Sequence, residues 1–175
     1  MRTFIAVNLP NDVKEKIWQD LSEKIKQKGI KLVEKENLHI TLLFIGEIPE
    51  SYVEEIKRRL EPLSATKQFK ISLNGIGCFA PRVLWVGLNE GKKDLEMLQK
   101  KVCELVGLND KKFSAHLTIA RNKWLSAKDF ATLVDKLKET KVCSSFVVSS
   151  VDIMKSTLTK SGPIYEKIAE IKLSA

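Results

Sequence analysis

The sequence predicts an α+β fold: one pseudo-symmetric, bilobal domain in which two antiparallel-type β-sheets line a cleft and helices cover their outer faces. Three observations carry that expectation. The segment Asn37-Leu-His-Ile-Thr-Leu-Leu-Phe returns 77 residues later as Ser114-Ala-His-Leu-Thr-Ile-Ala-Arg, which marks a duplicated unit. Around both copies, apolar residues follow strand and helix periods in the same order. No Ser-, Gly- or Pro-rich linker parts the copies, so the units, about residues 1–77 and 78–175, are expected to share one domain.

Arg2 to Leu9 (RTFIAVNL) reads as the first strand, a short apolar run rich in β-favouring residues. Val13, Ile17, Leu21 and Ile25 then recur every four residues, one face of an amphipathic helix. The His39 segment follows as a strand. Ser51-x-x-Glu54 has the form of a capping box ahead of a helix carrying Ile56, Leu60 and Leu63. Phe69 to Leu73 closes the first unit as a strand, and Gly75 to Pro81 reads as a short turn-rich stretch. The second unit repeats the order. Arg82 to Leu88 (RVLWVGL) is a strand, and Leu95, Leu98, Val102 and Leu105 mark a helix that Gly107 ends. The His116 strand comes next. Ser126-x-x-Asp129 then caps a helix with Phe130, Leu133, Val134 and Leu137, and Phe146 to Ile153 is one further strand. Each unit is therefore β-α-β-α-β with the His-x-Thr on its middle strand. A closing strand, Ile164 to Leu173, follows the turn residues Ser161-Gly162-Pro163.

The chain has 175 residues, 43% of them hydrophobic, enough for a sizeable core and too apolar for wholesale disorder. Lys and Arg outnumber Asp and Glu by 30 to 22, which favours an anionic partner, nucleic acid or an acidic surface. No apolar run reaches the ~18–20 residues of a membrane helix, and the opening MRTFIAVNLP lacks a signal-peptide apolar region. No membrane association is expected. Cys78, Cys103 and Cys143 are odd in number and form no C-x-x-C, so they read as reduced core thiols of a cytoplasmic protein. Two distant His and three scattered Cys do not make a zinc site, and neither a metal nor another cofactor is expected.

His39 and His116 are the chain's two histidines, and each is followed at +2 by Thr. In a strand, residues i and i+2 share a face. His39 and Thr41 therefore point one way while Ile40 and Leu42 point into a helix-covered core; His116 and Thr118 repeat this against Leu117 and Ile119. A single strand histidine is most often a satisfied core residue, but that reading does not explain two at equivalent positions of a repeat. A pair of imidazoles suits in-line displacement at a phosphorus already in a strained ring. One ring takes a proton from water, and the other protonates the departing ribose oxygen. The Thr hydroxyls donate to the non-bridging oxygens. The symmetry of the motifs leaves open which ring is the acid.

His39-Ile-Thr-Leu42 and His116-Leu-Thr-Ile119 resemble the paired HxTx motifs of the two-histidine phosphoesterase superfamily. Within it the chain is most similar to the RNA 2′,3′-cyclic phosphodiesterases, historically labelled 2′–5′ RNA ligases. The likeness extends to Met1-Arg-Thr-Phe-Ile-Ala-Val, to Phe79-Ala-Pro-Arg-Val-Leu-Trp85, and to Lys155-Ser-Thr-Leu with Gly162-Pro-Ile-Tyr165. It implies an open, basic cleft and hydrolysis of RNA 2′,3′-cyclic phosphate ends, tRNA fragments among them, to 2′-phosphates. It further implies that His39 is the proton donor and His116 the proton acceptor, with Thr41 and Thr118 holding the phosphate.

Arg121 is a candidate substrate clamp, although alternation puts it opposite His116 unless the strand ends or bulges. Arg82 is a second candidate. Trp85 reads as core rather than a stacking platform, and Lys155 and Lys160 as solvated lysines that could flank the groove. Two other functions use the same residues. A non-catalytic module would capture RNA ends or nucleotides without turnover, though binding alone does not require two titratable groups. A ligase would run the displacement with a 5′-hydroxyl in place of water. A monomer is expected.

Overall fold

The computed structural model describes residues 1–175. The order is β1 (Arg2–Asn8), α1 (Asn11–Ile25), β2 (Ile30–Leu32), β3 (His39–Glu47), α2 (Val53–Leu60) and β4 (Phe69–Phe79). It continues with β5 (Val83–Leu88), α3 (Lys92–Val106), β6 (Leu117–Asn122), α4 (Ala127–Leu137), β7 (Cys143–Val148), β8 (Ser150–Thr159) and β9 (Gly162–Lys172). Two antiparallel sheets form, one ordered β3-β1-β8-β9 and the other β2-β6-β5-β4-β7. The expected α+β architecture is present. Each helix buries the face its periodicity marks: Val13, Ile17, Leu21 and Ile25 on α1, and Leu95, Leu98 and Val102 on α3. Gly107 ends α3 at φ 84°, and its N–H donates to Cys103 O at 2.8 Å. A main core fills the space between sheets and helices, while Phe4, Ala6 and Met154 form a small buried floor on the opposite face of the first sheet. No helix is long and apolar enough to cross a membrane.

Several local features differ from the expectation. Phe146 to Ile153 is not one strand: the chain breaks at Ser149, β7 pairs with β4, and β8 pairs with β1 in the other sheet. The break falls at a Ser149-Ser150 pair with no Gly or Pro, and burial changes across it. Only Phe146 and Val148 are buried on β7, whereas Val151, Asp152, Ile153 and Met154 are buried in succession on β8, because a central strand is covered on both faces. Gly75 does not begin a turn. At φ +78° it lies in an irregularity between the Leu73 and Ile76 pairings, and β4 runs on to Phe79. Ser51 caps nothing, since a 3-10 turn over Glu50–Tyr52 runs directly into α2. Ser126 does cap α4, its Oγ accepting from the Asp129 N–H at 3.1 Å. Cys143 is exposed rather than core. The edge strand β2, three residues long, is too short to show a period.

The strand crossing has a regular form. The first sheet takes β1 and β3 from the first unit and β8 from the second. The other sheet takes β5 and β6 from the second unit and β4 from the first. The duplication is visible in finer detail too. Pairing between β1 and β3 slips from Ala6↔Thr41 to Ile5↔Leu43, leaving Leu42 extra. Pairing between β5 and β6 slips from Trp85↔Thr118 to Leu84↔Ala120, leaving Ile119 extra. Leu42 and Ile119 are 77 residues apart, so both His-x-Thr strands bulge at the same place. Each bulge carbonyl meets a donor from elsewhere in the fold. The buried Gln99 Nε2 of α3 donates to Leu42 O at 3.3 Å, and the Val33 N–H donates to Ile119 O at 3.0 Å.

Gln99→Leu keeps the volume and removes the donor to the first bulge. Urea unfolding should show a loss of about 1–3 kcal/mol, the cost of a buried polar group without its partner; an unchanged midpoint would mean the bulge holds without Gln99.

Candidate active site

A cleft of about 880 Å³ separates the two sheets, and His39, Thr41, His116 and Thr118 all line it. Alternation does this locally: Ile40, Leu42, Leu117 and Ile119 turn into the helix-covered core and leave the His and Thr of each motif on the cleft side. Both rings are held the same way. His39 Nδ1 lies 2.6 Å from Asn37 O, and His116 Nδ1 lies 2.6 Å from Ser114 O. A carbonyl oxygen only accepts, so Nδ1 carries the proton in both rings and Nε2 is left for the cleft.

The two Nε2 atoms differ in their neighbours. His39 Nε2 is 2.9 Å from Thr41 Oγ1, whose hydroxyl donates to it while the ring is neutral. His116 Nε2 has no hydrogen-bond partner in the protein. Aromatic rings brace both imidazoles. Phe4 and Tyr165 each lie 5.1 Å from His39, and Phe79 meets His116 edge-on at 5.0 Å. Trp85 backs Phe79 at 5.6 Å and lies flat over Gly77, where no side chain would fit. It is half-buried beneath the site, neither a helix-side core residue nor an open platform. Crowding by Phe4 and Tyr165 desolvates His39 and pushes its pKa down to about 4, and the Lys14, Arg121 and His116 charges push the same way against the Asn37 carbonyl bond. The ring nonetheless reaches the cleft, where an arriving anion can contact it.

Arg121 lines the cleft because the bulge at Ile119 resets the alternation, bringing Arg121 to the side of Thr118. The same bulge does this to Phe44, the residue 77 positions earlier, which is 67% exposed in the cleft. Phe44 was legible only by extending the repeat three residues past each Thr, where one copy reads Phe and the other Arg. Lys160 lines the cleft. Lys155 does not, and Arg82 sits outside the cleft wall at the β4–β5 turn, its N–H donating to Phe79 O and its carbonyl accepting from Asn122 N. Arg2, Lys31 and Lys123 add to the cations of the cleft, against one carboxylate, Glu34. Asn37 ties the site together: its carbonyl orients His39, and its side chain donates to Pro163 O at 3.0 Å at the start of β9. No three His, Cys, Asp or Glu side chains converge as a metal site.

Residues 12–159 match the model of a family described as the 2′-5′ RNA ligase superfamily. A protein of Methanocaldococcus jannaschii named RNA 2′,3′-cyclic phosphodiesterase is 37% identical over 97% of this chain and 99% of its own length. One of the same name from Archaeoglobus fulgidus is 38% identical over 96% and 98%. Among solved structures, apo LigT of E. coli superposes with a TM-score of 0.80 over 99% of this chain and 98% of its own, and at 19% identity that likeness speaks for the fold.

The His39 environment sets a testable pH dependence. The unfolded ring takes up its proton near pH 6.5, whereas the folded ring resists until about pH 4. This contribution to stability is complete above 6.5 and is lost as pH falls toward 4. His39→Gln should flatten that part of the stability–pH curve measured by denaturant unfolding. An NMR titration placing the His39 midpoint near 6.5 would overturn the assignment.

Proposed function

The chain belongs to the 2′-5′ RNA ligase superfamily, and from that starting point we propose that its cleft hydrolyses RNA 2′,3′-cyclic phosphodiester ends to 2′-phosphomonoesters, as an RNA 2′,3′-cyclic phosphodiesterase. One observation carries the mechanism: two imidazoles with protonated Nδ1 present Nε2 to a single cleft. His116 Nε2, free of protein partners, accepts a proton from water as the water oxygen attacks phosphorus. The P–O3′ bond breaks, and His39 gives its Nε2 proton to O3′, leaving the phosphate on O2′. Thr41 and Thr118 donate to the non-bridging oxygens, and the Arg121 guanidinium balances the charge that builds on them. Phe44, exposed in the same cleft, offers a face on which the terminal base stacks.

Burial keeps His39 neutral on its own, yet the step needs it protonated. The phosphodiester brings the missing counter-charge. Its anion beside the ring raises the proton affinity that burial lowers, so the acid is charged by the substrate it serves. The reverse displacement, a 5′-hydroxyl attacking in place of water, uses the same groups and yields a 2′–5′ linkage. Water at about 55 M outcompetes it unless a second RNA end is aligned. The setting is a monomer in the cytoplasm, with RNA fragments such as cleaved tRNA as substrates.

Incubation with an RNA bearing a 2′,3′-cyclic end should release the 2′-phosphate; recovery of intact substrate would leave a binding module. Alanine at His39 or His116 should slow turnover about 10²–10⁴-fold, and alanine at Thr41 or Thr118 less. EDTA should leave the rate unchanged, and a loss restored by a divalent ion would move water activation to a metal. The alkaline limb of kcat should lie at higher pH than that of kcat/KM, because kcat reports the His39 charged by bound substrate.

A further inference from the structure

The cleft has two unlike ends. Phe4, Phe44 and Tyr165 gather around the His39 side, whereas Lys31, Arg121 and Lys123 line the end formed by β2 and β6. Lys31 and Arg121 are direct cross-strand partners, and Lys123 follows two residues farther from His116. Lys31 has Glu34 at 3.7 Å, but no carboxylate lies within 4.0 Å of Arg121 or Lys123. These two cations are left to meet an anion from outside.

Trp124 is the next residue in the chain, just beyond the cleft lining. It is 68% exposed, a large cost in unburied apolar area for a residue with no evident structural duty. Its placement is defined nonetheless. The Lys123 N–H donates to Gly29 O at 2.7 Å, and a Cβ built on Gly29 would stand 3.2 Å from Trp124 Cδ2. The indole rests on the Gly29 backbone and keeps its remaining surface open to solvent. An aromatic face beside an unpaired cation is the pairing that holds single-stranded nucleic acid, the base on the ring and the phosphate on the charge.

We propose that Lys31, Lys123 and Trp124 form an outer subsite for the nucleotide that precedes the cyclic end. Lys123, with Lys31, binds the phosphodiester on the 5′ side of the terminal ribose, and Trp124 stacks the preceding base. The proposal rests on the cyclic phosphodiesterase reading and sharpens its substrate class: RNA of two or more nucleotides over a 2′,3′-cyclic mononucleotide, which lacks both recognised groups.

The test compares 2′,3′-cyclic AMP with the dinucleotide ApA carrying a 2′,3′-cyclic end. The wild type should favour the dinucleotide in kcat/KM. Lys123→Gln should cut dinucleotide kcat/KM about tenfold, the scale of one charged hydrogen bond, lower its salt dependence by about one phosphate contact, and leave the mononucleotide rate unchanged. Trp124→Ala should act on the dinucleotide alone. Binding of the dinucleotide to the inactive His116→Ala enzyme should quench indole fluorescence, and Trp124→Phe should abolish that quench. Equal wild-type efficiency on both substrates, or equal losses on both in Lys123→Gln, would overturn the subsite while leaving the active site standing. Hydrolysis of neither substrate by the wild type would instead overturn the phosphodiesterase reading itself.

Discussion

Each imidazole is fixed by one hydrogen bond to the carbonyl two residues back on its own chain, Asn37 for His39 and Ser114 for His116. The bond decides which nitrogen holds the proton, and so leaves Nε2 to the cleft. The rest of the site presupposes it. Thr41 can reach His39 Nε2 only because the ring is turned outward, and the aromatic braces matter because they keep the plane of each ring where that bond sets it. Since the orienting acceptors are backbone, neither histidine requires a buried carboxylate partner, and the site stays net cationic for an anionic substrate.

The shared backbone carries unlike side chains. The same bulge lifts Phe44 on one strand and Arg121 on the other. One position puts an exposed aromatic face in the cleft and its counterpart a guanidinium, so a symmetric frame presents two unlike surfaces. His39 is crowded by Phe4 and Tyr165 and held by Thr41, whereas His116 Nε2 is unpartnered. Two motifs of one pattern thereby set their Nε2 atoms in different surroundings, one beside a Thr hydroxyl and the other open to the cleft.

Much of this was legible in the chain because it is periodic. Repetition at 77 residues located both motifs, the period of two put His and Thr on one face, and helical spacing identified the buried stripe of each long helix. What escaped was not periodic. The hop at Ser149 between sheets involves no Gly or Pro, the Gly75 irregularity imitates a turn, and the cap at Ser51 loses to a 3-10 turn that enters the helix already wound. Arg82, the weaker of the two arginine candidates, sits on the β4–β5 turn outside the cleft, whereas Arg121 enters it only through the bulge, a matter of pairing between strands that alternation along one strand does not show. Trp124 stands outside every period and is placed by contact with Gly29, a residue nearly a hundred positions away.

The exchange of β4 and β8 between the sheets bears on how the molecule comes into being. β1, which starts at Arg2, has β8 as one neighbour, and β8 begins only at Ser150. The sheet carrying His39 therefore remains a pair of strands, β1 and β3, until β8 has been made and reaches them. Contacts of such long sequence separation make folding slow and highly cooperative. Neither half can become a stable intermediate that acts alone, so a truncated chain exposes strand edges to aggregation instead of retaining half an enzyme.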